Sequence, residues 1–273
     1  MNQSRILYLF TRTPLHVGAG ASVGAVDQPV QRERHTGFPI IPGSSVKGVL
    51  RDYLEGIGGE QRDELFGKGG DGDQFTAGRI SFGEARLLLF PVRSAKGAFA
   101  FVTSPLALQR FARDAGLEIP VPSAPPDMTC LAGSKVVIPG KKAAVLEEYR
   151  FNVGGEFPKD WEDKLKSSLV DVVLSGADGR FVLLSDGDLS HFAVNACQVN
   201  QHVRIDDRTG TADDGGLFNE ETVPSETLLY SAVTETRTSN GENAVFKALS
   251  IEQLVQFGGK GTTGLGFCTV KLG

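Results

Sequence analysis

Apolar residues crowd the stretch from Arg5 to Thr11 (RILYLFT), which predicts a strand continuing toward His16, with Pro14 at a bend or edge position. A second strand pattern runs over 79–92 (RISFGEARLLLFPV), alternating first and then continuously apolar, and a third over 99–103. Helical patterns fall from about Ser45 to Gly56, over 60–66, and over 105–115, where Pro105 sits at a helix start. Further on, the pattern predicts a strand over 145–153 and an amphipathic helix over 159–174 carrying Trp161. Strands over 181–184 and 196–205 then flank a helix over 186–194. A strand over 227–237, a helix over 250–256 and a closing strand over 267–272 complete the chain. The proline-rich, then basic stretch 118–143 reads as an irregular insert, and Lys141 and Lys142 there as solvated cations.

The stretch between the first strand and the first helix carries the candidate chemistry. After His16 comes a loop with glycines at 18, 20 and 24 and a single carboxylate, Asp27, near its far end. Arg32, Arg34 and His35 follow, then an apolar TGFPIIP segment and a helix entry at Pro42-Gly43-Ser44-Ser45. Ser44 or Ser45 is an expected N-cap, and the free first-turn amides form an anion site at the positive end of the helix dipole. Lys47 in that first turn is unfavourable for an isolated helix but reasonable if an anion joins it. Arg51 lies one turn further on the same face. These residues describe a surface for a sugar-phosphate backbone with one carboxylate on an adjacent pliant loop. Without that context, they describe a plain surface helix with two solvated cations.

Charge sharpens this picture. The net charge of −5 is unpromising for a nucleic-acid binder, yet residues 204–226 hold two cations against seven anions and account for all of it. Residues 1–52 hold six cations against three anions. Local asymmetry matters more for binding than the sum. The acidic stretch lies between the strands over 196–205 and 227–237, so a protruding hairpin with an acidic connection over 206–226 is expected. Three widely spaced cysteines form no pairwise motif, which argues for a reducing compartment and against a zinc site. No signal peptide or membrane-length apolar run is present, so a cytoplasmic protein is expected. The length of 273 residues admits one large domain or two ordinary ones.

Residues 259–264 (GKGTTG) match the dinucleotide fingerprint G-x-G-x-x-G. That fingerprint must follow a strand and open a helix, whereas a helix is expected before this run and a strand after it. What remains is a glycine-rich turn over 258–266 able to bring backbone amides close to a phosphate chain.

The stretch GAGASVGAVDQPVQRERHTGFPIIPGSSVKGVLRD, together with the terminal GGKGTTGLGF, resembles the RAMP superfamily of CRISPR proteins. Within it, the chain closely resembles the repeated backbone subunit of the type III-B (Cmr) RNA-guided effector complex. The segment RIDDRTGTADDGGLFNEETVPSETLLY resembles that family's thumb, so the likeness spans essentially the whole chain. The resemblance implies a single α+β domain over 1–273. It would comprise a ferredoxin-like (RRM-type) palm with inserted segments and a thumb β-hairpin over about 204–228. It implies head-to-tail copies stacked along a CRISPR RNA guide beside other subunits of the Cmr complex. Complementary target RNA would be cut at regular intervals in a divalent-metal-dependent reaction (Mg²⁺ or Mn²⁺).

By position, Asp27 matches the family's cleavage residue, and His16 a residue beside it; as a lone acidic residue Asp27 is also the expected contact for the metal. Lys47 with Ser44 and Ser45 matches guide-backbone binding, extended by Arg32, Arg34 and Arg51. The Gly-rich loop matches it too, through Gly259, Lys260, Gly261 and Thr262. Glu220 and Glu221 fall in the thumb near positions implicated in cleavage, and Thr222 stands where some members carry an aromatic residue. The alternatives are a guide-binding scaffold that never cuts, a stand-alone endonuclease maturing CRISPR transcripts, and a nucleotide-dependent enzyme using the glycine loops.

Overall fold

Six consecutive buried residues, Ile6 to Thr11, make β1 (Ser4–Thr11) an interior strand. Leu7 and Leu9 enter one core while Ile6, Tyr8 and Phe10 enter another, as the two-residue strand period requires when both sheet faces are covered. The structure, a computed structural model, describes residues 4–20, 24–54, 58–69, 76–236 and 244–273. After β1 come β2 (Ile40–Ile41), α1 (Gly43–Tyr53), α2 (Gly59–Phe66), β3 (Gly67–Lys68), β4 (Thr76–Ala77), β5 (Ile80–Phe82), β6 (Ala85–Ser94), β7 (Ala98–Thr103) and α3 (Pro105–Ala115). The middle of the chain holds β8 (Thr129–Ala132), β9 (Ala143–Leu146), β10 (Tyr149–Gly155), α4 (Lys159–Lys166), α5 (Val172–Ser175), β11 (Phe181–Leu183) and α6 (Asp186–Asn195). The last part holds β12 (Gln198–Ile205), β13 (Ala212–Thr222), β14 (Leu228–Glu235), α7 (Ala244–Ala248), β15 (Glu252–Gln256) and β16 (Phe267–Leu272).

Twelve of these strands form one mixed sheet in the order β15–β16–β1–β14–β6–β7–β11–β8–β10–β9, with β2 also on β6 and β5 on β14. The β7–β11 and β8–β10 pairs are parallel. On one face α1 contributes Val46 and Leu50 to the core. On the other, Phe111 of α3 packs edge-on against Tyr230 and tilts against Trp161. Apart from this sheet, β12 and β13 form their own antiparallel hairpin, from Gln198 opposite Thr222 to Ile205 opposite Ala212. All of β12 is exposed.

Several expected elements are redrawn. The hairpin's second strand is 212–222, which lies inside the expected acidic connection; 228–235 instead lies beside β1 in the main sheet. The expected helix over 250–256 is β15, because its residues pair with β16 and bury Val255. The expected single strand over 145–153 folds back at Glu147, whose φ is +49°, into β9 and β10. The helix over 159–174 breaks into α4 and α5, the second capped by Asp171, whose carboxylate accepts from the Val173 and Leu174 amides. The 118–143 insert lends β8 to the sheet. The strand over 79–92 is interrupted between β5 and β6. The expected stop of the first helix at Gly56, the centre of the 17–27 loop and most of a glycine run at 68–74 fall outside the described residues.

Candidate nucleic-acid interface and cleavage site

Beyond β1 the chain bends at Arg12 and Thr13, whose amides donate to the Phe267 carbonyl. It then pairs Leu15 with Val223 at the base of the hairpin. After the loop it returns alongside itself, Gly18 opposite Val30, and lays Gln28 against Glu220 in parallel. The Gln28 amide donates to the Asn219 carbonyl, and the Glu221 amide donates to the Gln28 carbonyl, each at 3.0 Å. A fourth segment closes the group: the Gly259 amide donates to the His16 carbonyl at 3.0 Å. Gly258 permits this approach. Its φ is +76°, and a Cβ there would stand 2.2 Å from the His16 carbonyl oxygen.

Asp27 is exposed, and its Oδ2 accepts the Asn219 amide at 2.8 Å. Glu221, one of the few buried carboxylates, is neutralised by the Arg32 guanidinium and also accepts the Val30 amide at 2.9 Å. Glu220 is buried too and is neutralised by the Lys260 ammonium, which also donates to Gln28 Oε1 at 2.8 Å and lies 5.2 Å from the Phe218 ring centroid. His16 is buried, with Nδ1 2.8 Å from the Glu221 carbonyl oxygen. A carbonyl only accepts, so that nitrogen carries the proton.

Helix α1 builds a second feature. Pro42, not a serine, is its N-cap: the Pro42 carbonyl accepts from the Ser45 and Val46 amides, and no side chain caps the end. The helix therefore starts two residues before Ser45, with Ser44 and Ser45 inside its first turn. Gly43 is required at that start, since a Cβ would stand 2.3 Å from the Phe82 carbonyl oxygen. Ser44, Lys47 and Arg51 line a cleft of about 460 Å³ closed by Lys68 and by residues of β4 and β5. Lys47 makes no ion pair or side-chain hydrogen bond among the described residues, while Arg51 pairs with Asp63 at 3.5 Å.

Of the residues expected to act together, His16, Asp27, Glu220, Glu221 and Lys260 converge at the hairpin base. Ser44, Lys47 and Arg51 line the α1 cleft, and Ser45 lies beside them in the first turn. Arg34 and Thr262 are exposed, and Gly259 and Gly261 flank Lys260 on the turn between β15 and β16. Arg32, expected on the RNA-facing surface, turns its guanidinium inward, and its two terminal nitrogens donate to Glu221, the Gly37 and Ala193 carbonyls and the Cys197 thiol. His16 is likewise turned inward. Thr222 is fully buried. The fingerprint reading of 259–264 stays excluded on a new ground: a strand does precede it, but only a three-residue 3₁₀ turn follows, between antiparallel strands. Sequence reasoning missed Asn219, Gln28 and Phe218, for which only proximity to Asp27 and Glu220 in the sequence offered a signal.

Among the described residues, no group of three or more His, Cys, Asp or Glu side chains forms a metal cage. Asp27 is a lone carboxylate whose neighbours Glu220 and Glu221 are already paired. This fits magnesium's habit of taking one or two carboxylates plus phosphate oxygens and water.

The RAMP superfamily pattern matches residues 9–269. The chain is 37% identical to the CRISPR system Cmr endoribonuclease Cmr4 of Pyrococcus furiosus, over 97% of this chain and 94% of that protein. Over a shorter stretch, 28% of this chain and 40% of the relative, it is 39% identical to the Csm3 endoribonuclease of Streptococcus thermophilus. Oligomeric Cmr4 from Pyrococcus furiosus superposes with a TM-score of 0.78 at 31% identity, covering 100% of this chain and 98% of that one. A chain of the type III-B Cmr-beta complex bound to cognate target RNA shares the fold, with a TM-score of 0.77 at 22% identity over 99% and 97% of the two chains.

Proposed function

The chain belongs to the RAMP superfamily, and we propose that it is the repeated backbone subunit of a type III-B CRISPR effector, an endoribonuclease that holds guide RNA and cuts paired target RNA. The observation that carries this reading is Asp27: an exposed carboxylate tied by one oxygen to Asn219 at the root of a free-standing hairpin. The relatives' names supply the substrate class. A ferredoxin-like palm is supported by the order β16–β1–β14–β6, which in chain order reads fourth, first, third, second, with α1 after the first strand and α7 after the third. The β12–β13 hairpin is the thumb. Val199, Val203 and Leu217 give it an exposed apolar side suited to parting stacked bases.

RNA carries its own nucleophile. The 2′-oxygen attacks the adjacent phosphorus, the bond to the 5′-oxygen breaks, the 2′-hydroxyl loses a proton and the leaving oxygen gains one. The protein's task is to align that attack, which supplies up to ~7–11 kcal/mol in favourable cases. The hairpin extrudes one nucleotide, and Asp27 stands where it can orient the 2′-hydroxyl. His16 holds the Glu221 carbonyl, and so the hairpin root, in place. A divalent metal, Mg²⁺ or Mn²⁺, would be held by Asp27 and would neutralise phosphate charge when bound. The α1 cleft, with Lys47 (unpaired among the described residues) beside the helix N-terminus, takes a guide phosphate. Arg34, Gly259, Gly261 and Thr262 extend the RNA-facing surface.

Replacing Asp27 by Ala in the assembled, guide-loaded complex tests the reading. Target binding should persist while single-turnover cleavage falls by about 10²–10⁴-fold, the range for a positioned acid–base group. Undiminished cleavage would reduce the chain to a guide-binding scaffold.

A further inference from the structure

We propose that Lys260 is a positioning residue of the cleavage site, a tether that fixes Asp27 against the hairpin, and not a ligand of RNA phosphate. This rests on the cleavage role of Asp27 proposed above. Lys260 belongs to a turn that otherwise invites an RNA contact: glycines surround it and Thr262 nearby is exposed. Its side chain goes elsewhere. It leaves the β15–β16 connection and reaches two segments remote in sequence, donating to the buried Glu220 carboxylate of β13 and to the Gln28 side-chain carbonyl at 2.8 Å. The Phe218 ring lies 5.2 Å away on a third side. Two of the ammonium's three donors are thus committed within the chain.

Backbone conformation points the same way. Lys260 sits in the left-handed region at φ 62°, ψ 32°, where glycine would be less strained. In a turn already rich in glycine, a lysine at that position indicates that its side chain is needed.

The tether bears on Asp27 through a short chain of contacts. Gln28 is stitched to Asn219 and Glu221 by two backbone hydrogen bonds, and Lys260 clamps the Gln28 side chain to Glu220 between them. Asp27 is the preceding residue, and its carboxylate hangs on the Asn219 amide. Removing the ammonium leaves Glu220 buried without its lysine; among the described residues the other basic side chain near that oxygen is the His202 imidazole, at 3.6 Å. Relaxation of Glu220 then moves the strand on which Asp27 is registered. A shift of about 1 Å in a reacting group can cost on the order of 10²-fold in rate.

The test reconstitutes the guide-loaded complex with Lys260→Met, Lys260→Arg, Glu220→Gln and the Lys260→Met/Glu220→Gln pair. Binding of guide and target is measured against salt, and single-turnover cleavage is measured at saturating target. Lys260→Met should bind both RNAs with an unchanged salt slope yet cleave about 10–100-fold more slowly, and Lys260→Arg should restore most of that loss. The double variant should be no slower than Glu220→Gln alone, since the two side chains act as one unit. A salt slope lower by about 1 would mark Lys260 as a phosphate contact and overturn the proposal. Unchanged cleavage, or losses that multiply in the double variant, would overturn it as well.

Hydrogen exchange of the Gln28 and Glu221 amides, in the free chain, reads the tether without reference to cleavage. Lost protection in Lys260→Met is expected, and full protection would sink the proposal. Lys260→Gln, which keeps a donor but no charge, serves if the methionine variant does not fold; it should bind RNA normally and cleave at an intermediate rate, and wild-type cleavage by it would count against the tether. If Asp27→Ala still cleaves while this exchange result holds, the cleavage reading has failed and the tether has not.

Discussion

At the scale of single residues, the hairpin root depends on charges that are paired out of solvent. Arg32 and Glu221 form the most enclosed pair there, with side chains 18% and 10% exposed. Removing one member of such a pair strands the other, at a typical cost of ~3–5 kcal/mol. Arg32→Met should therefore lower unfolding free energy by about that amount in urea titrations, while Arg34→Met, at an exposed site, should leave it nearly unchanged. Equal effects would refute the division of labour between the two arginines. Nothing in QRER distinguishes them, because a run of cations does not state which side chain turns inward. Asp27 was easier to read, as the only carboxylate in its loop. His16 stood out through its type, but its burial against Glu221 depends on a contact across 205 residues of sequence.

At the scale of elements, the turn that follows the Asp27 segment is anchored by Glu33. Both of its oxygens accept from Arg110 of α3, at 2.9 and 3.1 Å, and one also accepts from Thr36 at 2.7 Å. Burial works to raise its pKa, but the bonds from Thr36 and Arg110 outweigh it and hold the carboxyl below its usual range. A depressed carboxylate stabilises the fold fully above its ordinary pKa, and that contribution is lost as pH falls through the depressed value. The melting temperature of wild type should accordingly drop more steeply in acid than that of Glu33→Gln, and parallel pH profiles would contradict the anchor. Elements set by local chemistry were plain beforehand: β1, α3 with its proline start, and β16. Those decided by tertiary pairing were not. Residues 252–256 lie in a strand because β16 offers them an edge. Residues 212–222 read as part of an acidic connection because their four acids (Asp213, Asp214, Glu220 and Glu221) are conspicuous, although two of these are neutralised inside the structure.

At the scale of the whole molecule, the proposed guide contact and the proposed cutting site are built from different elements of one chain. Lys47 lines the α1 cleft, Asp27 stands at the hairpin root, and among the described residues no hydrogen bond or ion pair links the two side chains. The apparent acidity of the chain is arranged to match. Glu220 and Glu221 are cancelled internally, leaving the exposed acids Asp207 and Asp214 toward the far end of the hairpin. Changes at well-separated sites with no shared partner combine additively. Lys47→Ala should weaken guide binding with a salt slope lower by about 1, leave the cleavage rate per bound target unchanged, and add to Asp27→Ala without synergy. Strong coupling between those two substitutions, measured as a double-mutant cycle on binding and on single-turnover rate, would mean that gripping the guide and cutting the target are one event, and the division of the two tasks between these elements would have to be abandoned.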